Sequence, residues 1–178
     1  FFGLIRDYKG LDLLLDAWAQ LRRAGRTEGR RLIVAGEFYT AREPYLNRIA
    51  DNGLQDEVLL HDRFIPDDDV KYYFSAADFV VQPYKTATQS GVTQIAYQFC
   101  VPMVVTKVGG LAEIVPDGRV GYVCEPTPEG VAGAIERMYE GDTLQRFREN
   151  CVEERRRFSW EEMCSRITEL YGLVASGK

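Results

Sequence analysis

Short apolar runs alternate with helical repeats along this chain. The runs occur at 1–5, 31–36, 58–62, 78–84, 102–107 and 120–123. Between them, apolar residues recur with the period of a helix; the first such repeat consists of Leu11, Leu14, Leu15, Trp18 and Leu21. Strands that alternate with helices and are apolar throughout indicate a parallel sheet covered on both faces. We therefore predict an α/β fold, a Rossmann-like doubly wound parallel sheet of about six strands with helices on both faces.

Two further helices are predicted from their first residues. Thr127 followed by Pro128 has the pattern of an N-cap with proline at the first helical position. Ser159 and Glu162 have the spacing of a capping box. After Ser159, apolar residues repeat on one helical face at Trp160, Met163, Cys164, Ile167, Tyr171 and Val174. This stripe predicts a C-terminal helix that packs its apolar face in the core.

Composition limits the classes of function. A chain of 178 residues that is 46% hydrophobic is long enough to bury a core, so residues 1–178 are predicted to form a single domain. No apolar run approaches about 18 residues, so no transmembrane helix is expected. The net charge of −5 disfavours nucleic acid as a partner and direct contact with an anionic membrane. The first residues lie inside a strand and no initiator Met precedes them, which suggests part of a longer protein.

Cysteine and histidine are used sparingly. Cys100, Cys124, Cys151 and Cys164 lie far apart without any CxxC pair, which argues against a structural zinc site. We interpret them as reduced, mostly buried thiols of a cytoplasmic protein. The single histidine, His61, is expected to be a packed neutral side chain, and a metal site built on several histidines is excluded.

The loop after the first run carries two cations. Ligands of doubly wound sheets bind beyond the carboxyl ends of the strands. There Arg6 and Lys9 follow Gly3 in a loop that opens a helix, a pattern typical of an anion site. The alternative is a pair of solvated surface charges. Gly36 and Glu37 close the second run and are expected to face the same crevice.

Small hydroxylated residues follow the fourth run. They form the segment Thr88-Gln89-Ser90-Gly91-Val92, which opens a helix. Free backbone N–H groups at such a start can hold a phosphate, whereas the alternative is ordinary capping by Thr88 or Ser90. Neither a Walker A loop nor a GxGxxG motif is present.

Taken in order, five segments resemble the C-terminal, donor-binding domain of glycosyltransferase family 4, which has the GT-B fold. They are FFGLIRDYKGLDLLLDAW, RLIVAGE, FIPDDDVKYYFSAADFVVQPY, PMVVTKVGGLAEIVPDGRVGYVCEP and FSWEEM. The resemblance implies a hexosyltransferase-type enzyme of polysaccharide or glycolipid biosynthesis. Such an enzyme transfers a sugar from a nucleotide diphospho-sugar to an acceptor with retention at the anomeric carbon. The acceptor-binding N-terminal domain is then missing from this chain, and the chain alone is expected to transfer nothing.

The resemblance also assigns residues. Arg6 and Lys9 match the basic pair that grips the donor diphosphate, and they are the predicted catalytic residues because the leaving group gains charge. Backbone N–H groups at Ser90-Gly91-Val92 are expected to face the distal phosphate. Ile65 is expected to face the nucleobase. No metal or other cofactor is expected, since the protein supplies the positive charge.

One departure from the family pattern concerns two glutamates. Their positions correspond to Ala87 and Ile95, or one residue later to Thr88 and Ala96, and 85–99 contains no acid. We expect Thr88, Gln89 and Ser90 to replace the carboxylates with neutral hydrogen bonds. The alternatives are a GT-B module that binds nucleotide or sugar without turnover, and a GT-B sugar-nucleotide epimerase. The single histidine disfavours the epimerase, which needs more acid–base groups.

Overall fold

Parallel strands with helices on both faces form the structure, a computed structural model that describes residues 1–175. The strands are β1 (Leu32–Ala35), β2 (Val58–His61), β3 (Val80–Gln82), β4 (Met103–Thr106) and β5 (Gly121–Cys124). β1 pairs with β2, β4 lies between β3 and β5, and every pair is parallel. The predicted α/β class and parallel pairing are confirmed.

The sheet is less continuous than the predicted arrangement of about six strands. The described residues form a sheet of two strands and a sheet of three. The segment 1–5 lies parallel to β1 and is joined to it by an isolated bridge between Phe2 and Ala35, while Ile5 bridges Phe38 just beyond β1. Among the residues the structure describes, no backbone hydrogen bond joins this segment to β3. A cavity of about 280 Å³ lies there, lined by Phe1, Ile33 and Val80 among others.

Helices and short 3₁₀ turns connect the strands. The helices are α1 (Leu11–Arg23), α2 (Glu43–Asp51), α3 (Asp67–Ala76), α4 (Gly91–Gln98), α5 (Leu111–Ile114), α6 (Pro128–Met138), α7 (Thr143–Glu154) and α8 (Trp160–Ala175). The turns are Asp7–Lys9 and Arg155–Phe158. The Thr127 hydroxyl accepts from the Gly130 N–H at 3.1 Å, and the Ser159 hydroxyl accepts from the Glu162 N–H at 3.1 Å. Both predicted helix starts are therefore confirmed.

The core has two parts, one on each face of the strands. Val104 packs in the cluster that contains Leu14 and Ile135, whereas its neighbour Val105 packs in the cluster that contains Phe74. Successive residues of a strand point to opposite faces, so a strand buried on both faces must be apolar at every position. This explains the unbroken apolar runs in the sequence.

The C-terminal stripe is not in the core, and that prediction is wrong. No residue of α8 is buried, and Trp160 and Tyr171 are 75% and 73% exposed. The helix forms as its periodicity predicts, but it leaves the body of the domain after Ser159. A helical repeat shows that one face is apolar, and it carries no information about which surface covers that face.

His61 and the cysteines also depart in part from the sequence expectation. His61 is exposed, and its Nδ1 hydrogen-bonds with the Tyr73 hydroxyl at 2.8 Å. The four thiols are free as expected, but they are not mostly buried: Cys151 is buried, Cys100 and Cys124 are partly exposed, and Cys164 on α8 is exposed. None of the helices among residues 1–175 combines the length and the apolar character that crossing a bilayer requires.

Buried acidic groups predict that the fold weakens at alkaline pH. Burial raises the pKa of Cys151 and of Cys124 to about 12, and it raises that of Tyr139 to about 12. A free thiol in the unfolded chain ionises near pH 8.5, so above this pH the folded state holds more protons than the unfolded state. Under reducing conditions, the free energy of unfolding in urea should fall between pH 8.5 and pH 11. Cys151→Ala should show a shallower fall, and an equal slope in both proteins would contradict the assignment to this thiol.

Candidate functional site

The carboxyl ends of the parallel strands bring two distant loops together. The first loop, residues 6–10, follows the segment 1–5, and the second loop, residues 83–90, joins β3 to α4. The Lys85 N–H donates to the Tyr8 carbonyl at 2.7 Å. Gly10 also packs against the Pro83 carbonyl oxygen so closely that a Cβ atom would overlap it. The two loops therefore form one edge, which is the candidate site.

Arg6 and Lys9 lie on the first loop without an acidic partner. Among the residues the structure describes, neither makes a salt bridge. The guanidinium of Arg6 lies 5.2 Å from the ring centroid of Tyr39, and the ammonium of Lys9 lies 5.8 Å from that of Tyr84. Aromatic rings attract cations but carry no net charge. Both cations thus keep their charge available to an anion.

The nearby acids pair with a different cation. Lys85 forms salt bridges of 2.9 Å with Asp7 and of 2.9 Å with Asp12. Partial burial lowers the pKa of Lys85, but the hydrogen bonds to both carboxylates outweigh burial and raise it. Asp7 and Asp12 therefore make their salt bridges with Lys85 rather than with Arg6 or Lys9, and the three groups together keep one negative charge.

Lys9 is half-buried, and its environment disfavours further positive charge. Burial, and then the neighbouring guanidinium of Arg6, lower the pKa of Lys9. Its ammonium lies beside Gly3, since a Cβ atom built there would be 3.0 Å from Nζ. A half-buried cation beside a second cation is stabilised when an anion binds to both.

Ser90 has a structural role at the start of α4. Its hydroxyl accepts from the Val92 N–H at 3.2 Å and hydrogen-bonds with the Tyr84 hydroxyl at 3.2 Å. The Ser90 side chain is thus the N-cap, which is the capping alternative considered above. The Val92 N–H is also occupied, so within the described residues the backbone N–H groups of Ser90 and Gly91 are the free donors of the three predicted. Gly91 is exposed, with open space where its side chain would be.

Thr88 and Gln89 are exposed on the second loop. The Thr88 carbonyl accepts from the Gly110 N–H at 3.0 Å, which fixes the loop backbone against the turn after β4. At Gly109, where φ is +50°, a Cβ atom would overlap the Ala87 carbonyl oxygen. Gly109 and Gly110 thus determine the position of the loop backbone at Thr88 and Gln89.

Gly36 and Glu37 lie at the same edge as the first loop. The Ile5 N–H donates to the Glu37 carbonyl at 2.8 Å, while the Glu37 side chain is exposed. At Gly36, a Cβ atom would overlap the Gly3 carbonyl oxygen, so the glycine at 36 allows the end of β1 and segment 1–5 to approach. Their contribution to the site is this close backbone contact.

The loop after β2 presents a different residue from the one expected. Ile65 is buried, and the neighbouring Phe64 is 65% exposed. The sequence reasoning also missed Tyr39 and Tyr84, the aromatic partners of the two cations. Tyr84 is the last residue of the fourth apolar run, 78–84, so its position at the carboxyl edge could have been inferred from the sequence. Its contact with Lys9 depends on tertiary structure.

Comparison with known proteins identifies the family. The sequence pattern of the family described as glycosyl transferases group 1 matches residues 1–141. The chain belongs to the group 1 glycosyl transferases. A curated relative, D-inositol 3-phosphate glycosyltransferase 2 of Catenulispora acidiphila, is 32% identical over 96% of this chain and 42% of its own length. This group 1 chain therefore spans less than half the length of that relative.

Solved structures share the fold of this group 1 domain. Sucrose-phosphate synthase of Thermosynechococcus elongatus superposes with a TM-score of 0.80 at 21% identity, over 99% of this chain and 45% of that chain. The Anabaena protein HepE, in complex with UDP, superposes with a TM-score of 0.77 at 23% identity, over 96% of this chain and 48% of that chain. These similarities place the domain in the GT-B fold.

The contact between Gly109 and the second loop can be tested with a matched glycine. Gly109→Ala adds a Cβ atom that overlaps the Ala87 carbonyl oxygen, whereas Gly118→Ala adds one in open space at a similarly positive φ. Both variants bear the cost of a left-handed conformation, about 1–2 kcal/mol. Overpacking should make Gly109→Ala less stable than Gly118→Ala by about 1–3 kcal/mol. Equal losses of the free energy of unfolding in urea would mean that the loop backbone moves away from the added Cβ atom without a cost in stability.

Proposed function

We propose that this chain is the donor-binding domain of a retaining glycosyltransferase. The enzyme transfers a sugar from a nucleotide diphospho-sugar to an acceptor. Arg6 and Lys9 bind the diphosphate and are the catalytic residues of this domain. The observation that carries the proposal is the pair of cations without acidic partners at the carboxyl edge. The printed description of HepE, which binds UDP in a similar fold, supports the class of ligand.

Charge development explains why two cations are needed. When the bond between the anomeric carbon and the diphosphate breaks, negative charge grows on the leaving nucleoside diphosphate. Donors that are already in place stabilise this charge without reorganisation. Arg6 can hydrogen-bond to two phosphate oxygens through its planar guanidinium, and Lys9 supplies a more localised charge.

The neighbouring groups complete the donor site in this proposal. The free N–H of Gly91 faces the distal phosphate at the start of α4, where the helix dipole favours negative charge. Thr88 and Gln89 offer neutral hydrogen bonds to sugar hydroxyls. Neutral contacts avoid repulsion between a carboxylate and the diphosphate. Gly3, Gly36 and Glu37 contribute backbone around the base and ribose, whereas Ile65, which is buried, supports the loop after β2.

The acceptor-binding half of the full-length protein is the proposed partner. The relative from Catenulispora acidiphila is more than twice as long as the region it shares with this chain. We infer that residues 1–178 are the C-terminal half, and that the N-terminal half binds the acceptor. The enzyme is placed in the cytoplasm, peripheral to a membrane if the acceptor is a lipid, with contact through the other half. Nucleic acid is not a substrate.

A binding module without turnover is the second candidate. It is favoured by one observation, the absence of any acid in 85–99. The two candidates differ in one measurement, which is release of nucleoside diphosphate by the full-length protein from a panel of nucleotide sugars. Turnover supports the transferase, and binding without turnover supports the module.

Removal of the Lys9 ammonium tests the anion site. Lys9→Ala should weaken binding of a nucleoside diphosphate by about 1.5–3 kcal/mol, the range for hydrogen bonds to charged groups. The matched control is Lys71→Ala, which removes another lysine with an aromatic neighbour, 5.2 Å from the Tyr72 ring, on α3. Titration calorimetry should show nearly unchanged affinity for the control. Equal affinity in the Lys9 variant would refute the assignment.

We further propose that donor binding requires no divalent metal, because Arg6 and Lys9 supply the positive charge. The affinity for UDP should therefore be the same in EDTA and in millimolar Mg²⁺ or Mn²⁺. Raised salt should weaken binding in both conditions, since the contacts are ionic. Loss of binding in EDTA that is restored by either metal would contradict this proposal.

A further inference from the structure

Tyr84 is a buried aromatic residue of the second loop, and its ring contacts the first loop. It is 3% exposed and follows β3 by two positions. Its carbonyl accepts from the Thr106 hydroxyl at 2.6 Å, which fixes its backbone to β4. Its ring meets the ring of Tyr8 edge to face, with centroids 6.0 Å apart and planes at 81°. Neighbouring residues therefore fix both the backbone and the ring of Tyr84.

The ring of Tyr84 is the aromatic neighbour of Lys9. The ammonium lies 5.8 Å from the ring centroid, within the range of about 6 Å for a cation–π contact. Lys85 on the same loop shows the opposite arrangement, because two carboxylates neutralise it. A ring orients a cation without neutralising it, so Lys9 stays available to an anion.

The hydroxyl of Tyr84 reaches the start of α4. It hydrogen-bonds with the Ser90 hydroxyl at 3.2 Å, and Ser90 in turn caps the Val92 N–H. Burial raises the pKa of Tyr84, so the hydroxyl stays protonated at neutral pH. One side chain thus contacts both the cation of the first loop and the cap of the helix.

We propose that Tyr84 is a positioning residue of the donor site: its ring holds the Lys9 ammonium in place and its hydroxyl holds the first turn of α4. The proposal rests on the proposed function, because it concerns how Lys9 and Gly91 are presented to the diphosphate. The competing explanation is that Tyr84 only fills space in the core. The two explanations differ in whether replacement of Tyr84 changes the titration of the Lys9 amine.

The ring and the hydroxyl can be removed separately. Tyr84→Phe keeps the ring and removes the bond to Ser90, whereas Tyr84→Leu removes the ring. Tyr97→Leu is the matched control, because Tyr97 is 1% exposed and lies on α4, where its hydroxyl donates to the Ile114 carbonyl at 2.6 Å. Two measurements are made on the full-length protein: UDP affinity by calorimetry, and reactivity of the Lys9 amine with an acetylating reagent across pH by mass spectrometry.

Loss of the ring should change both measurements. In Tyr84→Leu, the Kd for UDP should rise about three- to tenfold, the range for a cation–π contact. The Lys9 amine should also react at lower pH, because the ring favours the charged form while burial and Arg6 disfavour it. Asp7, Asp12 and Lys85 remain paired with one another and do not move this titration. Tyr84→Phe should leave the titration of Lys9 unchanged, and Tyr97→Leu should leave both measurements unchanged.

The outcomes separate this proposal from the proposed function. Unchanged titration of Lys9 in Tyr84→Leu would overturn the positioning role. Failure of the unaltered protein to bind UDP or another nucleoside diphosphate would contradict the proposed function, and the titration would still decide about Tyr84. If Tyr84→Leu does not fold, progressive fluorination of the ring in Tyr84→Phe weakens its negative face at nearly constant shape. The Lys9 amine should then titrate at lower pH with each fluorine, and a constant titration would overturn the proposal.

Discussion

Contact between the first loop and the second loop is the constraint on which the site depends. The strand ladder is interrupted between the segment 1–5 and β3, so backbone pairing does not align these parts of the edge. The alignment instead comes from the Lys85 N–H on the Tyr8 carbonyl and from the packing of Gly10 against Pro83. Residues far apart in sequence are thereby held next to one another.

The same contact organises the charges. Lys85 on the second loop binds Asp7 and Asp12, and this leaves the other two cations of the edge unpaired. The chain as a whole has a net charge of −5, yet Arg6 and Lys9 at this edge make no salt bridge among the described residues. Net charge therefore excludes a partner that needs a broad basic surface, but it says little about a small anionic ligand that contacts two side chains.

Backbone geometry limits how the helix start can bind. Ser90 uses its hydroxyl to cap α4. The segment that lacks carboxylates therefore has a structural part at Ser90 and a part that is open to a ligand. Thr88 and Gln89 remain exposed because Gly109 and Gly110 let the turn after β4 pack directly against the loop backbone. The neutral side chains and the free Gly91 N–H are thus presented by a supported loop.

The amino-acid sequence by itself determined five of the six predicted strands, the starts of α6 and α8, and the edge that carries the candidate site. Apolar runs record burial on both faces, and capping residues such as Thr127 act on their own helix. Tertiary structure alone decided the interruption of the sheet, the exposure of α8 and the pairing of Tyr84 with Lys9. The physical reason is the range of the interaction: periodicity and caps act within a few residues, whereas these features depend on groups brought together from distant parts of the chain.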